Sequence, residues 1–568
     1  MLDWSHALLT AWDRCLLRRI AVFVAPFTAA DAAAVAGFAP LKPNTITEGL
    51  ARLTEQSLLT AVPSASGTRY RALETIRQFE SEQLVETGEL PETLARHLRW
   101  CLSTAAELAA RQPRTDGGWR TRFDAAADDI RAALAWAAEQ DAHRADAYTL
   151  ARTLAGMAFD RNLLGESQLR YEQAADLAPD PAAAAAALRH AAEVAGCRMR
   201  GEDMYRLYRA VAETARVAGD SAAAARDLAT AAITVFRLSQ AFTAPLPPGE
   251  AADLLTEARG LADADPAAAA AIALAECGVH APTADSAPDD PNSAAAEAIS
   301  LAERAVELAR ATGDPLAVSA APDALAASQC WAGDIFATAE TTRRRVELLA
   351  AAPATPAAAL EQVNALTEAA DISIGVGDLE RARQWGKRLR DLPLLAEKGD
   401  FATSRLLVAD ALAGNTNEVL TASGRFLDAW ELSGRPHAPN LATAAAAVAL
   451  VHGLRGDDES RSTWLSIVDD LGVTPDQKAA YTAVFDALVH LHHERPDQAM
   501  ATLAADPDKL DEQVIWIWRH WYLALRAEAA ARTGHPDAPG YLARARTEVA
   551  GNPVADAILD RAAALLDT

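Results

Sequence analysis

A glycine followed by a short polar residue recurs along the second half of this chain at a nearly constant interval. Gly333-Asp334, Gly377-Asp378, Gly414-Asn415 and Gly456-Asp457 continue as Arg495-Pro496 and Gly534-His535, spaced 44, 37, 42, 39 and 39 residues apart. Each pair follows an apolar helical stretch and precedes the alanine or other apolar residue of the next, as in G-D-L-E-R-A-R-Q-W. Glycine takes the left-handed conformation that ends one helix, and the polar residue caps the first turn of the next. The repeating unit is therefore a helical hairpin. Hairpins at a fixed period stack and share their interiors, because none can bury its apolar face alone. Gly219-Asp220 and Gly313-Asp314 carry the pattern toward the N-terminus. A length of 568 residues exceeds what one core can enclose. Alanine is the commonest residue and aromatics make up only 6%, a balance that favours closely approaching helices. Two proline-rich stretches, A-P-L-P-P-G-E (244–250) and A-P-T-A-D-S-A-P-D-D-P-N-S (281–293), interrupt the helices and are expected to be loops or a joint between two blocks.

The first ninety residues read differently. Trp12, Leu16, Ile20 and Phe23 stand at helical spacing. Thr28-x-x-Asp31 predicts a capping box that opens a short helix ending at Gly37, and Thr45-x-x-Glu48 predicts another that opens a third, with Ile46, Leu50 and Leu53 on one face. Leu58–Val62, the S-A-S-G turn at Ser64–Gly67 and Thr68–Leu73 follow as strand, turn and strand. A closing helix places Leu73, Ile76, Phe79 and Leu84 on its apolar face and stops near Gly88 and Pro91. Three helices, a two-stranded wing and a closing helix make a winged helix.

These residues also carry a family likeness. Trp4-Ser5-His6-x-Leu8-Leu9, then L-L-R-R-I-A-V-F-V-A-P-F-T-A-A-D-A-A-A-V, L-A-R-L-T-E-Q-S-L-L and R-Y-R-A-L-E-T-I-R-Q-F, resemble the winged helix of the bacterial STAND regulators, signal-transduction ATPases with numerous domains. A-D-D-I-R-A-A-L-A-W-A (127–137) resembles the motif that starts the helical repeats of the same proteins. The likeness covers residues 1–140, and beyond them it is a general likeness to tetratricopeptide (TPR) repeats. It implies an all-α fold with one small β wing: a winged helix (1–90), a helical connector (91–145), then a TPR-like α-solenoid of roughly ten hairpins. The two repeat blocks are expected at 146–280 and 294–568. In the family, a Met-His-Asp triplet of the winged helix senses the nucleotide. Aligned on Tyr70-Arg71, the triplet here is Ala72-Leu73-Glu74, so Leu73 replaces the histidine. No G-x-x-x-x-G-K-[ST] loop is present, and the sole Gly-Lys pair, Gly386-Lys387, is followed by Arg388. No cofactor is expected on this chain; the ATPase is expected to lie elsewhere, in cis or in trans.

Charge narrows the classes further. A net charge of −25 opposes nucleic acid and anionic lipid. Residues 1–88 hold eight Lys/Arg against nine Asp/Glu, and the third helix (44–57) offers Arg52 alone against Glu48 and Glu55. A DNA-reading helix brings several cations to the phosphates. No stretch reaches the roughly 18–20 apolar residues of a membrane span. Five dispersed cysteines without a C-x-x-C pair fit a reducing compartment, so a cytoplasmic protein is expected. His490, His492, His493 and Glu494 lack metal-site spacing and read as a helix end. No motif for catalysis is found, so no enzyme is expected.

The candidate functional residues form two groups. Trp518, Trp521, Tyr522 and Leu525 share a core stripe, which leaves Trp516, Arg519 and His520 as an aromatic and cationic partner surface, with Arg343 and Arg344 as a site for an acidic partner. Arg71, Leu73 and Glu74 are the expected relay in the winged helix. The function these readings imply is a non-enzymatic sensor of a STAND-type regulator. Its solenoid would bind a protein partner or a small-molecule inducer, and its winged helix would pass the event to an ATPase. The alternative is a transcription regulator that grips DNA through the wing.

Overall fold

The computed structural model describes residues 6, 9–64, 67–111, 116–238, 242, 246–247, 249–280, 291–352, 354–396, 398–509 and 512–567. Its contacts gather into two units, Met1–Ala191 and Ala192–Thr568. The division differs from the boundaries read at 90, 145 and 280–294. The helices flanking the proline-rich joint, Pro266–Val279 and Pro291–Thr312, pack through Ala273, Cys277, Ala302, Ala305 and Val306. That joint therefore lies within one repeat array; residues 281–290 themselves fall outside the described residues.

In the first unit, helices Ala11–Ile20, Ala29–Ala36 and Ile46–Glu55 enclose Leu16, Ile20, Phe23, Val35, Leu50 and Leu53. The Thr28–Asp31 capping box forms as expected. The one expected at Thr45 does not: Pro43–Thr45 closes a 3₁₀ turn in which the Thr45 hydroxyl donates to Lys42 O at 2.8 Å. Strands β1 (Phe27–Thr28), β2 (Leu59–Ser64) and β3 (Gly67–Ala72) form an antiparallel sheet in the order β1-β3-β2, with Phe27 opposite Tyr70 and Leu59 opposite Ala72. Helix Glu74–Glu86 follows β3, so the elements stand in the order expected from the sequence for a winged helix. A two-residue β1 is too short to leave a periodic trace, and the sequence did not foretell it.

Helix Glu74–Glu86 buries one ionisable group, Glu80, at 1% exposure beside His6 (3.5 Å). Burial outweighs the attraction of Arg18 and pushes its carboxyl up to about 7. A carboxyl raised on folding lends stability below its unfolded value, and that stability is lost as pH rises through the folded value. Glu80→Gln is therefore expected to raise stability near pH 8 by ~2–3 kcal/mol, with the gain more than halved by about pH 5.5. Thermal melts of both forms at the two pH values check this.

The connector helices Leu90–Ala110 and Gly117–Ala138 share a core of Leu98, Leu108, Trp119, Phe123, Ile130 and Leu134 with helix Arg144–Asp160. The winged helix is fastened to them. Asp129, within the 127–137 motif, accepts from Val24 N (2.7 Å) and Ala25 N (3.3 Å) and pairs with His97 Nε2 (3.2 Å). Trp100 Nε1 donates to Asp31 Oδ1 at 3.1 Å, the same carboxyl that closes the Thr28 cap.

The second unit is the repeat array. Gly219, Gly313, Gly333, Gly377, Gly414, Gly456 and Gly534 all hold φ between +64° and +81°. Asp220, Asp314, Asp334, Asp378 and Asp457 each cap the helix that follows. Where the rhythm lacks glycine, at 495, Glu494 takes φ +56° instead. Alternate helices form an inner row in which each packs on the next: Ser221–Arg237, Pro266–Val279, Pro315–Trp331, Pro356–Gly375, Gly399–Leu412, Ala442–Leu454, Pro475–His492, Glu512–Thr533 and Pro553–Leu566.

The row curls tightly enough to meet itself. Trp521 Nε1 donates to Ile374 O (3.0 Å) and Asn552 Nδ2 to Gly375 O (2.9 Å), across 147 and 177 residues. At the other end of the same helix, Cys197 Sγ lies 3.2 Å from Pro356 O, and Arg237 reaches Glu361. Helix Pro356–Gly375 is thus the hub on which both turns of the array close. Alanine makes this possible. Ala444–Ala447 and Ala449 are all nearly inaccessible in the row, where larger side chains would hold the helices apart. Much of the face between inner-row helices is therefore packed.

Candidate functional site

The hub helix carries its acidic residues on one stripe. Glu361, Asn364, Glu368 and Asp371 follow at steps of three, four and three residues, so they share a face. Two neighbouring polar groups are built on that stripe.

The first is an ionic cluster. Arg345, fully buried, donates to Asp323 Oδ1 (2.5 Å), Glu361 Oε2 (2.9 Å) and Glu368 Oε2 (2.8 Å). Arg237 donates to Asp323 Oδ2 (2.8 Å) and forks onto both oxygens of Glu361 (2.6 and 3.1 Å). Asn364 Nδ2 adds a bond to Asp323 Oδ2 at 3.3 Å. Two guanidinium groups thus face three carboxyls. Burial raises the Asp323 carboxyl, but Arg345 and Arg237 outweigh it and pull the group down to about 2. Glu368 is held well above its ordinary range, first by burial and then by the Asp323 carboxylate. A protonated Glu368 would leave the cluster neutral. That pairing satisfies buried charge rather than presenting it.

The second group surrounds a cavity of about 190 Å³ between inner-row helices, lined by Asp371, Arg405, Tyr481 and Trp518 among others. Arg405 Nε donates to Asp371 Oδ2 at 3.2 Å, and its Nη1 to Ser404 Oγ and Asn440 O. Burial raises the Asp371 carboxyl in spite of Arg405. Tyr481, 2% exposed, places its hydroxyl where no hydrogen-bond partner meets it. A buried hydroxyl without a partner costs about 1–3 kcal/mol. The cavity therefore offers an ion pair set in a mixed wall, apolar at Val408, Val473 and Trp518 and polar at Ser404, Asn440, Thr443 and Gln477.

The residues singled out from sequence sit elsewhere. Arg343 pairs with Glu340 and Glu347, and Arg344 with Glu340, all on one helix surface. Arg519 bridges Asp508 and Glu548. His520 is buried against Phe336 (5.8 Å) and lies 3.2 Å from Asn552 Nδ2, because helix Glu512–Thr533 is covered by the hub and by the last helix. It is not offered to a partner surface. Trp516 is half-buried, whereas Trp518, Trp521, Tyr522 and Leu525 do fill the core. In the winged helix Arg71, Leu73 and Glu74 are exposed, Leu73 by 54% and Glu74 paired with Arg77. The structure thus leaves Arg343, Arg344, Arg519 and His520 in separate intramolecular contacts. Sequence reasoning passed over Glu368, Asp371, Arg405 and Tyr481. The acidic and amide residues at steps of three and four in an alanine-rich helix were the available signal.

Comparison with known proteins adds a partial likeness. No family model matches the chain. Over 165 residues it is 37% identical to the "Putative HTH-type transcriptional regulator" of Mycobacterium bovis and to a counterpart in Mycobacterium tuberculosis, covering 29% of this chain and 18% of each relative. An uncharacterised Mycobacterium bovis protein is 35% identical over 96 residues, which cover 17% of this chain and 24% of the relative. The chain spans about a fifth of the length of the regulators it matches. Among solved structures, a STAND protein with a tetratricopeptide repeat sensor from Pyrococcus horikoshii overlays 86% of this chain and 67% of its own at 13% identity and a TM-score of 0.41, too loosely to carry an inference. Among the described residues no helix is long and apolar enough to cross a membrane.

Proposed function

We propose that this chain is a non-enzymatic, cytoplasmic sensor module of a STAND-type regulator. The repeat array takes a small-molecule inducer at the hub helix, and the winged helix relays the event through Arg71, Leu73 and Glu74 to an ATPase carried in cis or in trans. The observation that carries this reading is the hub cavity, where the Asp371–Arg405 pair opens between inner-row helices. A cavity of that size suits a metabolite better than a protein segment. The partial likeness to a transcription regulator supports the regulatory setting.

Direct DNA reading finds less support. Arg52, the one arginine of helix Ile46–Glu55, is held by Asp13 through Nη2 (2.7 Å) and Nε (3.2 Å). A gel shift with random duplex at about 50 mM salt is expected to show no salt-sensitive complex. Tight, salt-sensitive binding would favour the DNA-binding alternative instead.

A further inference from the structure

The cavity at the hub defines the chemistry of what it takes. Two of its lining residues carry charge, Asp371 and Arg405, and their contact uses only part of each group. Asp371 engages Oδ2, and Arg405 engages Nε and Nη1. Asp371 Oδ1 and Arg405 Nη2 keep no protein partner among the described residues, and the two side chains remain 25% and 14% exposed. One acceptor and one donor of opposite charge therefore stand side by side. Tyr481 lines the cavity from the helix Pro475–His492, with its unpaired hydroxyl enclosed away from the open space. Val408, Val473 and Trp518 form the apolar part of the wall, and Ser404, Asn440, Thr443 and Gln477 its neutral polar part.

We infer that this cavity binds a small zwitterion with an aliphatic side chain, of the free α-amino acid class. The ligand's ammonium group sits against Asp371 Oδ1, its carboxylate against Arg405 Nη2, and its side chain against Val408, Val473 and Trp518. An antiparallel pair of dipoles forms without breaking the Asp371–Arg405 contact, so no buried charge is stranded. A lone amine or a lone acid leaves one charged edge unmatched and brings net charge into a neutral pocket. The raised Asp371 carboxyl agrees with this: Arg405 alone does not compensate its burial, and a second cation does. The inference rests on the sensor reading above and specifies its ligand.

The test is calorimetric titration of the whole chain with L-leucine and L-valine, alongside isoamylamine, 4-methylpentanoate and glucose. Saturable one-to-one binding of an amino acid is expected, with each single-charge analogue weaker by at least about tenfold. Asp371→Asn and Arg405→Gln are expected to abolish binding. Tyr481→Phe removes a hydroxyl that holds nothing in the fold and does not open onto the cavity, so this variant is expected to bind as the parent does. Silence to both amino acids at about 10 mM, or binding that Asp371→Asn and Arg405→Gln leave unchanged, overturns the inference. Capture of glucose through the same residues overturns the zwitterion and leaves the sensor reading standing. Silence to all five compounds together with tight duplex binding in the gel shift overturns both.

Discussion

Arg345→Met is expected to destabilise the repeat unit by about 3–5 kcal/mol at neutral pH. Arg345 has no access to solvent and donates to Asp323, Glu361 and Glu368 at once. Methionine fills much of the volume but carries no charge, so three carboxyls would share Arg237 alone. The price of that arrangement falls as the medium supplies protons. Asp323 and Glu361 are both held below their ordinary values by the two arginines, so their share of the cluster's stability is present above those values and is lost as pH falls through the lowered ones. In the variant the same carboxyls rise and take up protons, and the deficit against the parent narrows from about pH 7 to about pH 5. Arg343→Met and Arg344→Met, two and one positions away, are expected to leave the unfolding midpoint where it was, since both arginines lie at the surface in pairs along a single helix. Urea unfolding of the three variants separates the cases. Equal losses at all three positions would deny the cluster its role as the anchor of the hub.

Asp129→Ala is expected to loosen the winged helix from the connector at a loss of about 2–4 kcal/mol. The carboxylate meets two backbone N–H groups of the Val24–Ala25 loop and the ring of His97; Asp129, Ala25 and His97 are buried, whereas Val24 is exposed. Alanine leaves the Ala25 N–H and the His97 ring buried without this partner. Asn keeps an acceptor for the loop and is expected to lose roughly half as much. Limited proteolysis reads the geometry directly: cleavage near Val24 is expected in Asp129→Ala and not in the parent chain. A variant that melts earlier while remaining uncut there would place the fault in the connector core.

Most of the fold was legible because its signals are local. Gly377 and Gly456 end helices in a conformation few other residues tolerate, and Asp378 and Asp457 cap the next, so the hairpin rhythm is written in adjacent positions. Thr28 and Asp31 formed their box for the same reason. Thr45 did not, because the prolyl turn before it claimed the hydroxyl. The sequence also showed the Trp518–Leu525 stripe to be core, yet it placed His520 on a surface. The surface was lost to contacts from residues far away in the chain: Phe336 and Asn552 lie 184 and 32 positions from it. Closure of the array on helix Pro356–Gly375 is likewise long-range, and no window of sequence contains it. The binding cavity escaped notice for that reason too. Asp371, Arg405, Tyr481 and Trp518 come from four helices, and no single segment brings them together.

The proposed ligand site is the cavity beside the hub helix, with the winged helix proposed as the relay. A thermal-shift screen of a defined metabolite library tests this most directly, run in parallel on the parent chain, Asp371→Asn and Arg71→Ala. Compounds are expected to stabilise the parent and Arg71→Ala equally and to lose most of their effect on Asp371→Asn. Compounds that act undiminished on Asp371→Asn but fail on Arg71→Ala would contradict the proposal.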